Sequence, residues 1–309
     1  MGHGHHHHID PEKGDRRVFV AIAVNLGLTL AQIIGGIVSG SLALIADAIH
    51  NFSDAVSLVI AFGARKIARR PRDAEMTFGY GRVEVVAALI NYTTLIVIGL
   101  YLLYEAMMRF IDPQPVVGWI IVIIAGIALI VDIATAALTY TMSKSSVNIR
   151  AAFLHNVADA LGSVAVIVAG TLILLYDWRL VDPIVTVMIA GYILWQSFRE
   201  IGPVIRILML GSPPEVAMRA VLDAVCGIDG VAGIHHAHFW QMDEHRAALD
   251  AHVAIAQGRW RDADKIKQGI KKMLSDQFGV YHSTLELECA QHVCVNPSEI
   301  GERGHGREP

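Results

Sequence analysis

LALIADAIHNFSDAVSLVIAF, Leu42 to Phe62, decides how this chain is read. It is long and apolar enough to lie in lipid, yet Asp47, His50 and Asp54 sit well inside its ends. A charged side chain at the centre of a spanning helix costs about 2.5–3.5 kcal/mol on insertion scales, so three titratable groups there need a reason. The i, i+4 spacing of His50 and Asp54 puts both on one helical face. The pattern returns in IRAAFLHNVADALGSVAVIVAG, Ile149 to Gly170, where His155 and Asp159 repeat the spacing. Two such faces brought together present two imidazoles and two carboxylates at one point. That donor set suits tetrahedral Zn2+, because imidazole favours zinc over hard cations such as Mg2+ or Ca2+. One copy alone is explained as well by a helix-packing hydrogen bond within each His–Asp pair. Two copies, both in membrane-length segments, favour a ligand set.

The rest of the composition agrees with lipid. Of 309 residues, 54% are hydrophobic and 17% charged, and the mean hydropathy is +0.47. Soluble domains carry about a quarter charged residues, so the chain reads as an α-helical membrane protein. A net charge of −4 gives no reason to expect nucleic acid as a partner. A bilayer core needs about 20 apolar residues in helical form. Six such transmembrane helices are expected, at 17–39, 42–65, 83–108, 116–142, 149–175 and 181–205. Arg16 and Arg17 precede the first, Arg65, Lys66, Arg69, Arg70, Arg72 and Arg82 crowd the second connection, and Lys144 and Arg150 flank the fourth. The other connections hold little beyond Arg109 and Arg179, so both termini are expected on the cytoplasmic side. Small residues around both His–Asp pairs (Ala43, Ala46, Ala48; Ala158, Ala160, Gly162) allow close helix packing. Asp47 either orients a ligand from behind or bonds to the first span near Asn25 or Gln32. Asp132 serves proton movement or a structural hydrogen bond, and the sequence names no partner for it.

Four stretches follow: a His-rich arm (1–16), the membrane domain (17–208), a cytoplasmic domain (209–290) and a flexible tail (291–309). The arm has no apolar core or small-residue cleavage site, so no signal peptide is expected, and its histidines are either an appended tag or a metal-gathering arm. The cytoplasmic stretch reads as helix 213–226 behind a Ser–Pro start, strands 231–240 and 248–256, helix 261–277 and strand 280–288. This αββαβ order predicts a compact α+β domain of two layers. Alternation puts His282, Thr284, Glu286 and Glu288 on one strand face, and turns His252 away from Leu249, Ala251, Val253 and Ile255. His235, His236, His238 and His245 crowd one hairpin, whereas the C-x4-C of Cys289 and Cys294 is a weak zinc signal. Those two and Cys226 are odd in number and at no disulfide-like spacing, which fits thiols in a reducing compartment.

SGSLALIADAIHNFSD, the second HNxxD, FGYGRVE after a basic loop, and HHAHFW, AHVAI and HSTLELE downstream together resemble the cation diffusion facilitator family, most closely its bacterial zinc-exporting branch. The resemblance spans about residues 15–290. It implies six transmembrane helices and a metallochaperone-like cytoplasmic domain. It also implies a homodimer in the bacterial inner membrane that exchanges a divalent cation for H+ by alternating access. The transport site maps onto His50, Asp54, His155 and Asp159, and His50 rather than Asp argues for Zn2+. Regulatory Zn2+ in the cytoplasmic domain maps onto His235, His252 and Glu288, with His238, His282, Cys289 and Cys294 as further candidates. No other cofactor is implied.

The chain departs from the family pattern in places. Some relatives bind metal in the loop after the second span; here Asp73 remains, but Met76 and Tyr80 stand where the His residues would be. Some join membrane and cytoplasmic parts through a Lys–Asp contact; here Arg82 replaces the Lys and Leu210 falls where the Asp would be, which predicts no such interlock. Alternatives are efflux of Cd2+, Co2+, Mn2+ or Fe2+, or a membrane metal sensor, although a sensor needs no ligands inside the bilayer. An enzyme is not expected: a zinc hydrolase would want an HExxH pair and a spare base, and neither is present.

Overall fold

The computed structural model describes residues 26–143, 147–289, 293 and 298–301. Among the described residues six helices come first: a shorter apolar α1 (Leu26–Ser39), then the long α2 (Leu42–Ala68), α3 (Arg82–Ile111), α4 (Gly118–Ser143), α5 (Val147–Tyr176) and α6 (Val181–Leu208). Arg82–Ile111, Gly118–Ala137, Asn156–Tyr176 and Val181–Leu208 are each long and apolar enough to cross a bilayer unaided. The outer faces of this bundle are apolar: Val97, Tyr101, Ile130, Leu161, Met188 and Trp195 are all exposed. Such a surface is untenable in water and natural against lipid. Inside, Ala43, Ala46, Ala125, Ala169 and Ala190 have no exposed area, so small residues set the helix contacts.

The corner between α1 and α2 is built from long-range polar contacts. Gly40 has φ +73°, and a Cβ there would lie 2.8 Å from the Pro115 carbonyl oxygen, so only glycine fits. The first turn of α2 needs acceptors for its free N–H groups. Asp182, fully buried at the start of α6, supplies them: it accepts from Leu42 N at 2.9 Å, from Ala43 N at 3.3 Å and from the Ser41 hydroxyl. Arg109, read from the sequence as a loop charge, is instead mostly buried, donating to the Gly40 carbonyl and lying 3.5 Å from Asp182.

A second compact unit gathers Phe62–Leu89 with the chain from Ile201 onward. Its sheet has the order β1 (Val231–Gln241), β2 (Ala247–Ile255), β3 (His282–Cys289), with β1 antiparallel and β3 parallel to β2. Helices α7 (Met218–Cys226) and α8 (Ala263–Phe278) pack Val221, Val225, Ile266, Ile270 and Leu274 against Leu249, Ala251, Val253 and Ile255. The αββαβ order is as expected. However, α7 starts at Met218 rather than at 213, because Pro213 to Val216 close a turn before the helix begins. The register of β1 against β2 breaks between His235 and His238, leaving a bulge at His236 and Ala237. Ser298–Gly301, from the stretch read as a tail, lie on that bulge: His236 N donates to Ser298 O at 2.9 Å and Ala237 N to Glu299 O at 3.1 Å.

Within this same unit the α2–α3 connection is fixed to the β1–β2 turn. Arg82 Nε donates to the Met242 carbonyl at 2.9 Å, and a Cβ on Gly81 would lie 2.4 Å from Asp243 Oδ2. The Lys–Asp ion pair is indeed replaced, since Leu210 is exposed, but a contact through a backbone carbonyl stands in its place. Asp73 accepts from Glu75 N at 3.0 Å, Met76 N at 2.7 Å and Tyr80 Oη at 2.6 Å. The Tyr80 hydrogen bond, with those backbone donors, holds the Asp73 carboxyl below its usual range. A carboxylate so engaged builds its own loop rather than a ligand set.

Candidate metal centres

Helices α2 and α5 bring two of the four expected ligands together. His50 Nε2 lies 3.2 Å from Asp159 Oδ1, and the two side chains are only 12% and 11% exposed. Tyr192 of α6 meets the His50 ring edge-on at 5.8 Å between centroids. Asp54 and His155 occupy α2 and α5 one turn from His50 and Asp159, on the same helical faces by spacing, but their side chains lie outside those described.

Behind this pair, each of the two helices is tied to the one before it. Gln32 of α1, with no exposed area, donates to Asp47 Oδ2 at 2.6 Å and accepts from Asn51 Nδ2 at 3.3 Å. Asp47 and Asn51 are themselves i, i+4 on α2 and bracket His50. Of the two sequence readings for Asp47, the bond to α1 is therefore present, and Gln32 makes it; Asn25 lies outside the described residues. Asp132 of α4 finds its partner in Ser163 of α5, whose hydroxyl donates to Oδ2 at 2.9 Å. Ser163 stands one turn beyond Asp159.

The second centre lies on the sheet face away from α7 and α8. Pairing sets His235 opposite His252, and Glu288 opposite Ala254 on the neighbouring strand. One ligand atom each from His235, His252 and Glu288 falls within 4.8 Å of the others. Glu288 Oε1 lies 2.8 Å from His252 Nδ1, and its Oε2 is 3.1 Å from His235 Nε2. The latter distance is short, yet its angle makes no hydrogen bond, so a ring nitrogen of the 5%-exposed His235 stays unsatisfied in the interior. A buried nitrogen in that state, facing a buried carboxylate and a second imidazole, fits a bound Zn2+. Of the other sequence candidates, His238 is exposed beyond the bulge and pairs with Asp250. His282 is exposed at the far end of β3, edge-on to Phe78, and Cys289 points to the core face opposite Ile255. Cys294 lies outside the described residues. Glu84, Glu244 and His245 also approach within 4.8 Å, but all are at least partly exposed, and they read as a solvated surface group.

Sequence reasoning missed Asp182 and Arg109 altogether. Asp182 follows a Val after a loop and looks like an ordinary helix-start acid; the hint was a carboxylate opening a segment otherwise free of charge over its first turns.

Long apolar helices with a little-exposed His–Asp contact between them, joined to a domain with a His–His–Glu cluster, make this an integral membrane protein. Two family models match it: the cation efflux transmembrane domain over residues 18–209, and the cytoplasmic domain of cation efflux proteins over residues 213–289. The chain belongs to the cation efflux family, the cation diffusion facilitators, and is a metal-cation efflux protein. It is 34% identical to the zinc transporter ZitB of Pectobacterium atrosepticum, over 93% of this chain and 89% of that one. It is 33% identical to a cadmium, cobalt and zinc/H(+)-K(+) antiporter of Bacillus velezensis, over 94% and 93%. With the metal cation efflux system protein CzcD of Cupriavidus metallidurans it shares 31% identity over 98% of both chains. A solved metal-bound C-terminal domain of the CzcD transporter from Cuprividus metallidurans is 26% identical over 24% of this chain and 99% of that one, with a TM-score of 0.22.

Proposed function

We propose that this protein exports Zn2+ from the cytoplasm in exchange for H+, by alternating access in a homodimer of the bacterial inner membrane with both termini cytoplasmic. The observation that carries this reading is His50 meeting Asp159 across α2 and α5 with little solvent exposure. Zn2+ is the cargo, held by His50, Asp54, His155 and Asp159. It requires neutral imidazole and ionised carboxylate, so loading releases protons and protonation releases metal. Imidazole titrates near pH 6.5 in water, about where a proton gradient across a bacterial membrane can act on it. The names of the ZitB and antiporter relatives support zinc as cargo, and the second of them supports Cd2+ and Co2+ as competing cargo and protons as counter-ion. Zn2+ at His235, His252 and Glu288 serves regulation: strands from one sheet close around it, and a filled site stiffens the cytoplasmic domain when zinc is plentiful.

Zinc uptake into everted or reconstituted vesicles tests the proposal. A pH gradient drives Zn2+ accumulation in the wild type, and Asp54→Ala and Asp159→Ala abolish it. Wild-type rates in either variant would sink the four-residue site. Uptake that ignores collapse of the pH gradient would sink the exchange for protons.

A further inference from the structure

His236 shares its hairpin with His235, His238 and His245 and belongs to neither centre described above. Its backbone has φ +49°, a left-handed conformation that non-glycine residues adopt rarely and at a cost. That conformation comes from the bulge in β1, which frees His236 and Ala237 from pairing with β2. Alternation along a regular strand would send consecutive side chains to opposite faces. The bulge instead brings the His236 ring to the same place as its neighbour's: its centroid is 5.4 Å from that of His235 and 4.9 Å from that of His252. The His235 and His252 centroids are also 5.4 Å apart.

Those three ring spacings are close to the spacing of imidazoles around one Zn2+, although the ring nitrogens of His236 as placed do not join the 4.8 Å cluster of His235, His252 and Glu288. With Zn–N about 2.0–2.1 Å, a ring centroid about 1.2 Å beyond the nitrogen, and a tetrahedral angle, two imidazoles on one Zn2+ have centroids about 5.2 Å apart. The rings are also not stacked, with interplanar angles of 79°, 66° and 45°. The unsatisfied Nε2 of His235 is buried 3.1 Å from Glu288 Oε2. His235, His252 and Glu288 give three protein ligands, whereas a closed structural zinc site takes four. His236 is the nearest imidazole left to fill the fourth position, by a turn of its ring about the side-chain bonds. Its backbone is held for this by Ser298, whose carbonyl accepts the His236 N–H at 2.9 Å.

We propose that His236 is the fourth ligand of the cytoplasmic centre, closing it as a His3Glu site within a single subunit. The bulge and the docked Ser298–Gly301 segment are what aim it. This rests on the reading of His235, His252 and Glu288 as a zinc site, and the test separates the two. Full-length protein carrying Asp54→Ala and Asp159→Ala, to silence the α2–α5 centre, is titrated with Zn2+ against a chromophoric chelator and with Co2+ by visible absorption. His236→Asn and His236→Gly both tolerate the left-handed backbone and remove the imidazole; His235→Ala marks the baseline with the centre destroyed. Both His236 variants are expected to bind Zn2+ at least tenfold more weakly at this centre. They should also weaken the tetrahedral Co2+ bands, with metal-free melting unchanged. Affinity and Co2+ spectrum equal to the parent's in both His236 variants, while His235→Ala loses the site, would overturn the role of His236 alone. If His235→Ala also matches the parent, the underlying zinc reading fails and the inference falls with it.

Discussion

Replacing Gln32 by leucine asks whether the polar bracket behind His50 shapes the proposed transport centre or merely fills space. The side chain is fully buried, donates to Asp47 at 2.6 Å and accepts from Asn51 at 3.3 Å, so leucine of similar size removes both bonds without opening a cavity. Side-chain hydrogen bonds within membranes average about 0.6 kcal/mol and reach about 1.7, whereas bonds to charged groups in soluble proteins run to about 1.5–3. Asp47, 3% exposed, is stranded by the substitution, so a loss of about 1–2 kcal/mol is expected. Removing both polar groups should be milder than the sum, because neither is then left unsatisfied. The assay is a double-mutant cycle of Gln32→Leu, Asp47→Leu and the pair, read by thermal melting in detergent and by the KM for Zn2+ uptake into vesicles. Melting of the double variant is expected to recover the part of the loss due to Asp47, while Asn51, which also loses Gln32, keeps the rest. Its KM should stay raised several-fold, because α2 has lost the contacts on either side of His50. Strictly additive melting would refute the pairing, and a wild-type KM in the double variant would refute any positioning of His50 through Asp47.

Three further outcomes follow from the geometry. Asp182→Ala removes the acceptor for the Leu42 and Ala43 N–H groups and the Ser41 hydroxyl, and takes a buried carboxylate from beside Arg109, so the protein should lose about 3–5 kcal/mol in detergent melting. Glu288→Gln keeps the size of the side chain but removes the anionic ligand, and should abolish tight Zn2+ binding at the cytoplasmic centre in equilibrium dialysis while leaving the fold intact. Burial pushes the Asp243 carboxyl up, but hydrogen bonds from Arg246 and the His245 N–H outweigh it, and the net shift is downward. A depressed carboxyl stabilises the fold above its unfolded value near pH 4 and loses that contribution as pH falls through the folded value. The β1–β2 turn should therefore gain hydrogen-exchange protection from Asp243 at neutral pH and lose it only below about pH 4, a dependence that Asp243→Asn removes.

How much of this was legible in the sequence depended on whether a feature is local. The paired HNxxD runs were readable because i, i+4 spacing fixes a shared face whatever the tertiary structure. The strands of the cytoplasmic domain were readable because His252 and Glu288 alternate with leucines and valines that had to face the helices. Partners chosen by packing were not. Ser41, Arg109 and Asp182 are far apart in sequence and meet only because the α1–α2 corner, the end of α3 and the start of α6 converge. His236 was hidden by a bulge that cancels the alternation rule at the one place where it matters. A membrane sharpens this division: buried polar groups stand out in an apolar run, but each must find a partner inside the protein, and sequence shows only the need.

The partners that were found carry one more step. Asp47 stands one turn before His50 and is held by α1; Ser163 stands one turn after Asp159 and is held by Asp132 of α4. Each of the two helices that meet at His50 and Asp159 is thus tied to the helix preceding it by a buried hydrogen bond close to that contact. A rearrangement that parts His50 from Asp159 costs least if it keeps both ties, moving α1 with α2 and α4 with α5, since breaking either would strand a carboxylate in the interior. Ser163→Ala tests the second tie. It removes one hydroxyl from the bundle without touching a ligand, and should slow the turnover of Zn2+ transport more than it changes melting. Unchanged turnover would mean that Asp132 and Ser163 pack the bundle and take no part in its movement.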